Sequence, residues 1–351
     1  MATLIQGVRK SLSIIGEAAF NPTLLVLALT LLAYGLPRLT VKITGSEFLA
    51  RWVDAFGLKT ALKVFVALGI GHVANRIQNL RASNNWSLLS RGEWMWSEKI
   101  AVVTGGCNGI GKAIVLALVR KGVRVAVLDV ADFPPGLAQI DTVFYWKCNI
   151  SSASSVAAVA DSIRDTIGHP SILINNAGVA NQGSILDVTP EKASKLFGVN
   201  LMTLWYTTKA FLPNMILDNK GHVVTVASMS SFISLPAAVD YSASKAGALA
   251  FHEGLTSEIK HLYKAPGVLT TVAHPMWVAT NMTKDRREAI ERSSGNKMMK
   301  PEEVAQAVTD QIFSHHGAQL IIPPSVTWLS AAKGFPNWLQ ELIRDSIAKT
   351  L

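Results

Sequence analysis

Cysteine is scarce in this sequence: Cys107 and Cys148 are the two present among 351 residues. Two cysteines without a neighbouring His/Cys cluster exclude a dense disulfide framework and a zinc-type ligand set. We therefore expect both to be free thiols in a reducing compartment, and we expect no bound metal.

Charged residues are also few, at 16% of the chain, while hydrophobic residues make up 49%. The net charge of +9 is uneven, because residues 1–99 hold 11 Lys or Arg against 5 Asp or Glu. The sequence lacks a Lys/Arg-rich run with interleaved aromatic residues, so we do not expect nucleic acid as a partner. Basic residues beside apolar stretches are instead typical of segments that face anionic lipid headgroups.

Residues 1–97 form the first predicted segment, and its longest uncharged stretch covers the twenty residues 18–37. About twenty apolar residues suffice for a helix to cross a hydrocarbon core. We predict an uncleaved transmembrane anchor rather than a signal peptide, since the stretch starts late and lacks a small-x-small cleavage site. A buried soluble helix stays open as the alternative, because Pro22 and Pro37 shorten the usable helix.

Two shorter features follow the predicted anchor. The apolar stretch 64–75 is too short to cross a bilayer unaided, and we expect a re-entrant or surface-lying element. Residues 83–97 contain Trp86, Trp94 and Trp96. Tryptophan prefers the headgroup level of a bilayer, but these rings could equally pack on the next domain, and both interpretations are open.

Residues 98–323 show short β-branched runs alternating with longer amphipathic stretches. This alternation predicts an α/β domain with a Rossmann-like, doubly wound parallel sheet and helices on both faces. The predicted strands are 100–104, 124–129, 143–148, 171–175, 222–228, 268–274 and, closing the sheet, 318–324.

A glycine-rich loop, Thr104 to Gly111, lies between the first predicted strand and a helix-like stretch. Glycines let a backbone approach a pyrophosphate, which then sits at the positive end of the following helix. Asp129 ends the next strand, where a carboxylate accepts hydrogen bonds from the adenosine ribose and repels a 2′-phosphate. We therefore predict a dinucleotide cofactor, with NAD favoured and NADP possible.

Tyr241 and Lys245 are four residues apart, so on a helix both side chains project from one face. A tyrosine titrates near 10, and a nearby cation favours its phenolate form. We predict that Lys245 lowers the pKa of Tyr241 and that this pair performs proton transfer.

With these features, the sequences NNAG at 175–178, GVNL around Asn200, Ser228 and YSASK at 241–245 make residues 98–323 resemble the short-chain dehydrogenase/reductase family. The resemblance implies that Tyr241 exchanges a proton with the substrate oxygen during hydride transfer, while Ser228 orients that oxygen. It also implies that Lys245 binds the nicotinamide ribose and that Asn200 helps to hold a water connecting Lys245 to solvent. The catalytic set is thus Tyr241, Lys245, Ser228 and Asn200.

The cofactor site that this resemblance implies has two departures from the family pattern. Asn149 stands where the family commonly has Asp near the adenine amino group, and Met276 follows Pro275 where many relatives have Gly. An amide oxygen can still accept the adenine hydrogen bond. The predicted cofactor-binding residues are Thr104, Gly105, Asn108, Gly109, Ile110, Gly111, Asp129, Asn149, Asn176, Ala177, Gly178, Tyr241, Lys245, Pro275, Val278 and Thr280.

The segment from Met276 to about Lys300 begins with apolar residues and then becomes highly charged, which suits a lid over a hydrophobic molecule. The chain lacks an arginine cluster placed for a phosphorylated substrate, so we expect a lipophilic alcohol, ketone or aldehyde of retinoid, steroid or lipid type. The predicted substrate-binding residues are Ser228, Met229, Phe232, Met276, Trp277 and Met282.

The tail, 324–351, is amphipathic and is expected either on a bilayer surface or packed on the protein. Together with the anchor and Asp129, it makes the chain resemble the membrane-associated branch of retinol and 17β-hydroxysteroid dehydrogenases. That likeness implies a catalytic domain facing the cytosol at the endoplasmic reticulum or a lipid droplet, with a homodimer left open. The alternatives are an NADPH-dependent carbonyl reductase of a secondary-metabolite pathway and a non-catalytic membrane-associated binding module.

Overall fold

The computed structural model describes residues 58–87, 94–181, 183–294 and 297–348. The chain divides into two compact units, Met1–Ala82 and Ser83–Leu351. The second unit begins before the predicted catalytic domain and includes the predicted tail. The predicted anchor at 18–37 lies outside the described residues.

Helix α1, Leu58–Ser83, contains the whole apolar stretch 64–75. It carries Lys59, Lys63, Arg76 and Arg81 but lacks an acidic residue, and Leu68 and Ile70 on it are exposed. Among the residues that the structure describes, no helix combines the length and the apolar character that crossing a bilayer requires.

The second unit contains a seven-stranded sheet in which every neighbouring pair is parallel, in the order β3-β2-β1-β4-β5-β6-β7. This confirms the predicted Rossmann-like fold. Central strands are buried along their whole length, as expected for a sheet covered on both faces. The strands are β1 Ile100–Thr104, β2 Arg124–Asp129, β3 Val143–Lys147, β4 Ile172–Asn175, β5 Gly221–Val226, β6 Val268–Pro275 and β7 Ala318–Ile322.

Helices cover both faces of the sheet, and the sheet separates two apolar cores. Ile114 and Val308 belong to one core, whereas Val156, Phe211 and Ile259 belong to the other. The helices after α1 are α2 Gly109–Val119, α3 Pro135–Ala138, α4 Ala153–Ile167, α5 Pro190–Phe197, α6 Thr203–Leu217, α7 Val239–His261, α8 Arg287–Ser294, α9 Pro301–Phe313 and α10 Asn337–Ala348. Short 3₁₀ segments lie at Trp96–Glu98, Met229–Ser231, Asn281–Arg286 and Pro324–Gly334.

The three tryptophans near the start of the second unit do not all fit the same interpretation of the sequence, packing on the next domain or contact with headgroups. Trp94 is buried and lies 5.4 Å, centroid to centroid, from Trp96, which makes an edge-on contact with Phe313 at 4.8 Å. Trp86 is 65% exposed. Packing on the catalytic domain therefore accounts for Trp94 and Trp96, and a headgroup contact stays open for Trp86.

The tail packs on the protein with its apolar side. Leu329 and Ala332 are buried in a cluster with Met229, and Ile343 of α10 packs against the same cluster. The outward side of α10 keeps Trp338 70% exposed. The tail therefore covers part of the predicted substrate wall and still presents an aromatic ring to the outside.

Candidate active site

The carboxyl ends of the central strands define a crevice. Going outward from β1, the chain runs to β2 and β3 on one side and to β4 on the other, so the strand order reverses between β1 and β4. Ligands of open parallel sheets bind outside the carboxyl ends of the strands at this kind of switch point. The predicted site residues follow β1, β2, β4, β5 and β6, so the topology gathers them at one edge.

The glycine loop is built for close backbone approach. Gly105 has φ +67°, a left-handed conformation that favours glycine. A Cβ on Gly111 would lie 2.1 Å from the Gly105 carbonyl oxygen, so a side chain there requires the loop to move. Asn108 precedes α2 without capping it through its side chain. The first N–H groups of α2 therefore suit a phosphate, and the loop fits a dinucleotide.

Residues of the NNAG sequence hold the base of this loop. The Thr104 hydroxyl accepts hydrogen bonds from the N–H groups of Asn176 at 3.0 Å and Ala177 at 3.1 Å. The Asn176 side chain donates to the Thr104 carbonyl oxygen at 3.0 Å. These bonds tie the end of β4 to the end of β1, so these three predicted cofactor residues support the loop structurally.

Asp129 is fixed beside the glycine loop by two backbone hydrogen bonds. Its Oδ2 accepts from the Cys107 N–H at 2.9 Å, and its Oδ1 accepts from the Ala131 N–H at 3.0 Å. Burial, followed by the nearby Asp129 charge, raises the pKa of the Cys107 thiol to about 12. This cysteine therefore stays protonated, and the fixed carboxylate beside it fits a ribose diol.

Asn149 is exposed, and its side-chain oxygen already accepts from Ser151. The Ser151 N–H lies 3.2 Å and the Ser151 hydroxyl 2.7 Å from this oxygen. An amide oxygen has two lone pairs, so accepting a hydrogen bond from adenine requires Asn149 to exchange one of these contacts.

The catalytic side chains predicted from sequence come together at the start of α7. Tyr241 and Lys245 lie one turn apart on this helix, with the Lys245 Nζ 5.7 Å from the centroid of the Tyr241 ring. The Ser228 side chain lies close enough to Tyr241 to act on its pKa as a hydrogen-bond partner, against the effect of burial. A Cβ placed on Gly178 would lie 3.5 Å from both the Lys245 Nζ and the Asn200 Oδ1. Lys245 and Asn200 therefore lie beside the end of the NNAG sequence.

Ser228 lies beyond the strand that was predicted to end with it. β5 ends at Val226, and Ser228 caps the 3₁₀ turn Met229–Ser231, with its Oγ accepting from the Ser230 N–H at 3.1 Å. The reason is local: a hydroxyl that accepts a nearby backbone N–H favours a turn over continued pairing.

Asn200 lies in the π-helical turn Gly198–Met202, a widening typical of functional positions. Its Oδ1 accepts from the Val179 N–H at 2.8 Å, and its Nδ2 donates to the Val179 carbonyl oxygen at 2.9 Å and to the Ser244 hydroxyl at 3.0 Å. Asn200 therefore joins the segment after β4 to α7.

The predicted lowering of the Tyr241 pKa by Lys245 is wrong for the protein alone. Burial raises the pKa of Tyr241, opposed by the hydrogen bond from Ser228. Burial also lowers the pKa of Lys245 to about 8, and its Nζ donates to the Val226 carbonyl oxygen at 2.9 Å. Burial therefore disfavours the charged form of both side chains, the phenolate of Tyr241 and the ammonium of Lys245.

The loop after β6 closes over the glycine loop. The Thr280 Cγ2 lies 3.2 Å from the position that a Cβ of Gly109 would take. Val278 is buried, and its carbonyl oxygen accepts from the Thr283 hydroxyl at 2.7 Å. This contact places the predicted carboxamide-binding residues next to the predicted pyrophosphate-binding loop.

The predicted substrate residues form two groups. Met229, Phe232 and Met276 meet in one apolar cluster with the tail. Trp277 is partly buried, with its carbonyl oxygen accepting from the Met299 N–H at 3.0 Å, and Met282 is 40% exposed in the 3₁₀ segment Asn281–Arg286. The first group forms a wall beside Ser228, while the second belongs to the segment that follows β6.

His274 is a site-adjacent residue that the sequence reasoning missed. It is fully buried at the end of β6, and its Nδ1 lies 3.0 Å from the Ser228 carbonyl oxygen. The available signal was a histidine directly before Pro275 at the end of a buried strand.

A parallel sheet with a glycine-lined loop at its switch point and a Tyr–Ser–Lys cluster at the same edge defines a nicotinamide-dependent oxidoreductase. The family model described as short chain dehydrogenase matches residues 99–291. The chain belongs to this family and is an NAD(P)-dependent short-chain dehydrogenase/reductase.

Individual proteins show the same likeness. Dehydrogenase RED2 of Cochliobolus heterostrophus is 37% identical over 224 residues, which cover 64% of this chain and 82% of the relative. Estradiol 17-beta-dehydrogenase 11 of Homo sapiens is 30% identical over 240 residues, 66% of this chain and 77% of the relative. The resemblance to the retinol and 17β-hydroxysteroid dehydrogenase branch is confirmed.

A solved structure shows the same fold. A short-chain dehydrogenase/reductase from Burkholderia phymatum, in complex with NAD, matches with a TM-score of 0.62 at 22% identity. The match covers 72% of this chain and 97% of that chain.

Proposed function

We propose that this enzyme transfers hydride between a nicotinamide cofactor, with NAD favoured, and a lipophilic alcohol, ketone or aldehyde, using Tyr241 as the proton-transfer residue. The observation that carries the proposal is the position of Tyr241 and Lys245, with the Lys245 Nζ 5.7 Å from the centroid of the Tyr241 ring, at the same edge of the sheet as the glycine loop and Ser228.

The cofactor, Tyr241 and Ser228 each have a distinct task in this proposal. The bound nicotinamide supplies or accepts the hydride. The Tyr241 hydroxyl gives its proton to the substrate oxygen in reduction and takes it back in oxidation. Ser228, whose side chain acts on the pKa of Tyr241, holds the substrate oxygen beside the phenol. Because burial raises the pKa of Tyr241, the phenol keeps its proton at neutral pH and is ready to donate it.

Cofactor preference rests on Asp129, whose carboxylate is held by two backbone N–H groups and would face the 2′-phosphate of NADP. Because that carboxylate would repel the phosphate, we expect NAD to raise the thermal melting temperature more than NADP does. A ligand at about 100 times its Kd adds about 2.7 kcal/mol to the free energy of unfolding. Asp129→Ser should reduce the NAD effect. Asp132→Asn is the control, since this exposed carboxylate pairs with Lys147. An equal or larger NADP effect on the unaltered protein would favour the carbonyl reductase alternative.

The substrate class follows from the apolar wall of Met229, Phe232 and Met276, which the tail covers. A pocket of this composition binds apolar surface and uses a few polar groups to orient the ligand. We expect NAD-dependent turnover of retinoids, steroids or long-chain alcohols by membrane fractions that contain the full chain. Fractions containing the Tyr241→Phe variant serve as the control. Turnover confined to small polar alcohols would contradict this substrate class.

Membrane association is part of the proposal and rests on three features. The uncharged stretch 18–37 has the length of a membrane span. Helix α1 carries four basic side chains without an acidic one, which suits anionic headgroups. The exposed Trp338 lies on the tail, which also covers the substrate wall. We therefore place the catalytic domain on the cytosolic side of the endoplasmic reticulum or at a lipid droplet.

A further inference from the structure

The pairing between β5 and β6 ends directly beside the catalytic serine. The last backbone bond runs from the Ala227 N–H to the Ala273 carbonyl oxygen at 2.8 Å. Pro275 has no N–H group, so β6 cannot donate the next bond of this parallel ladder. The backbone of Ser228 therefore continues past the point where the sheet itself holds it.

The His274 side chain makes a contact with β5's continuation one residue beyond the missing ladder bond. Its Nδ1 lies 3.0 Å from the Ser228 carbonyl oxygen. A carbonyl oxygen only accepts, so this nitrogen must carry the proton. The other ring nitrogen, Nε2, lies 3.5 Å from the Gln319 side-chain nitrogen on β7. The ring also packs against Phe232, with centroids 4.6 Å apart. These contacts fix both the tautomer and the orientation of the ring.

Ser228 is thus held at both of its ends. Its carbonyl oxygen accepts from the His274 Nδ1–H and also from the Ser231 N–H at 3.0 Å, while its hydroxyl accepts from the Ser230 N–H. Without the His274 contact, this oxygen keeps only the bond within its own 3₁₀ turn, and the turn loses its side-chain tie to β6. We expect the Ser228 hydroxyl then to lose its alignment with Tyr241. Misplacing a catalytic group by about 1 Å costs about 100-fold in rate.

We propose that His274 is a positioning residue that holds the Ser228 peptide through its Nδ1–H, so that the Ser228 hydroxyl faces Tyr241 and the substrate oxygen. This inference rests on the role proposed for Ser228. The ring stays neutral at physiological pH, because burial lowers the pKa of His274 to about 4.

The test compares two amides that place a donor at different positions. In His274→Asn the side-chain amide nitrogen can take the place of Nδ1, whereas in His274→Gln it reaches the place of Nε2. We expect His274→Asn to keep kcat within about threefold of the unaltered enzyme, and His274→Gln to lower kcat about 10- to 100-fold. KM for the dinucleotide should change little in both, because the glycine loop is untouched.

The control pair is His222→Asn and His222→Gln, since His222 is equally buried but bonds Thr271 at the opposite end of β5. These two variants should have equal kcat values. Equal kcat values for His274→Asn and His274→Gln, whether both are unchanged or both reduced, would overturn the inference. Ser228→Ala, measured alongside, separates the two proposals: if it keeps full turnover, the role of Ser228 itself is wrong.

Discussion

Replacing Tyr241 with Phe is expected to lower kcat about 10²- to 10⁴-fold, the range that a positioned general acid or base contributes. The variant keeps the ring, which stays beside Lys245, and loses only the hydroxyl. Most of the predicted dinucleotide-binding residues lie on the glycine loop, at Asp129 and after β4 and β6, away from the Tyr241 hydroxyl. We therefore expect the Kd for NAD to change less than about threefold.

The measurement pairs steady-state kinetics with direct titration of NAD binding. Tyr263→Phe is the matched control, because Tyr263 is exposed and its hydroxyl bonds Glu258 away from the site. That variant should keep full activity. A Tyr241→Phe enzyme with undiminished turnover would refute the proton-transfer role, and one that also fails to bind NAD would show that the phenol supports the cofactor instead.

Acid is expected to unfold the catalytic unit steeply, because three histidines are buried in the neutral form. Burial lowers the pKa of His222 and of His252 to about 3, and that of His274 to about 4. Each ring is held by a hydrogen bond: His222 to Thr271, His252 to Thr225, and His274 to the Ser228 carbonyl oxygen. A proton added to any of the three in the folded protein would create a charged ring without the water that solvates it in the unfolded chain.

The direction of this pH dependence follows from the number of protons that the folded and the unfolded chain each bind. An unfolded histidine titrates near 6.5, so below that pH the unfolded chain binds more protons than the folded one. The folded protein therefore has its full stability, as far as these histidines affect it, above about pH 6.5. It loses that stability as the pH falls toward the pKa values of the buried rings, about 4 for His274 and about 3 for His222 and His252. Each histidine contributes a slope of about 1.4 kcal/mol per pH unit, and the three together about 4 kcal/mol per unit.

Denaturant titrations at pH 7, 6 and 5 measure this slope. The double variant His222→Gln, His252→Gln should lose about two thirds of it, because only His274 then remains to be protonated. His261→Gln is the control, since His261 is exposed at the end of α7. An unchanged slope in the double variant would mean that other groups cause the acid sensitivity.

Local patterns were enough to predict much of the site. β1 and β2 begin and end where the sequence predicted, because β-branched runs bounded by turn residues define buried strands. The spacing of Tyr241 and Lys245 predicts a shared helix face, which α7 provides. The separation of Ser228 from Tyr241 along the chain predicts that they act together, and this stays a prediction; β5 ends two residues before Ser228.

Other features depend on what lies beside a residue in space. The sequence predicts a basic neighbour for Tyr241 and hence a lowered pKa, but burial reverses the shift. Trp96 lies against Phe313 and Trp94 against His315, both more than two hundred residues further along the chain. The preference of tryptophan for headgroups could not distinguish that packing from a membrane contact.

The sequence by itself determined the parallel sheet, the glycine turn with its acid, and the one-turn spacing of the phenol and the amine, because each depends on neighbours close in the chain. Only the tertiary structure decided the protonation of Tyr241 and Lys245, the packing of the tail on the substrate wall and the contact of His274 with Ser228. Those depend on desolvation and on hydrogen bonds between distant segments, and such contacts exist only once the strands and helices have packed together.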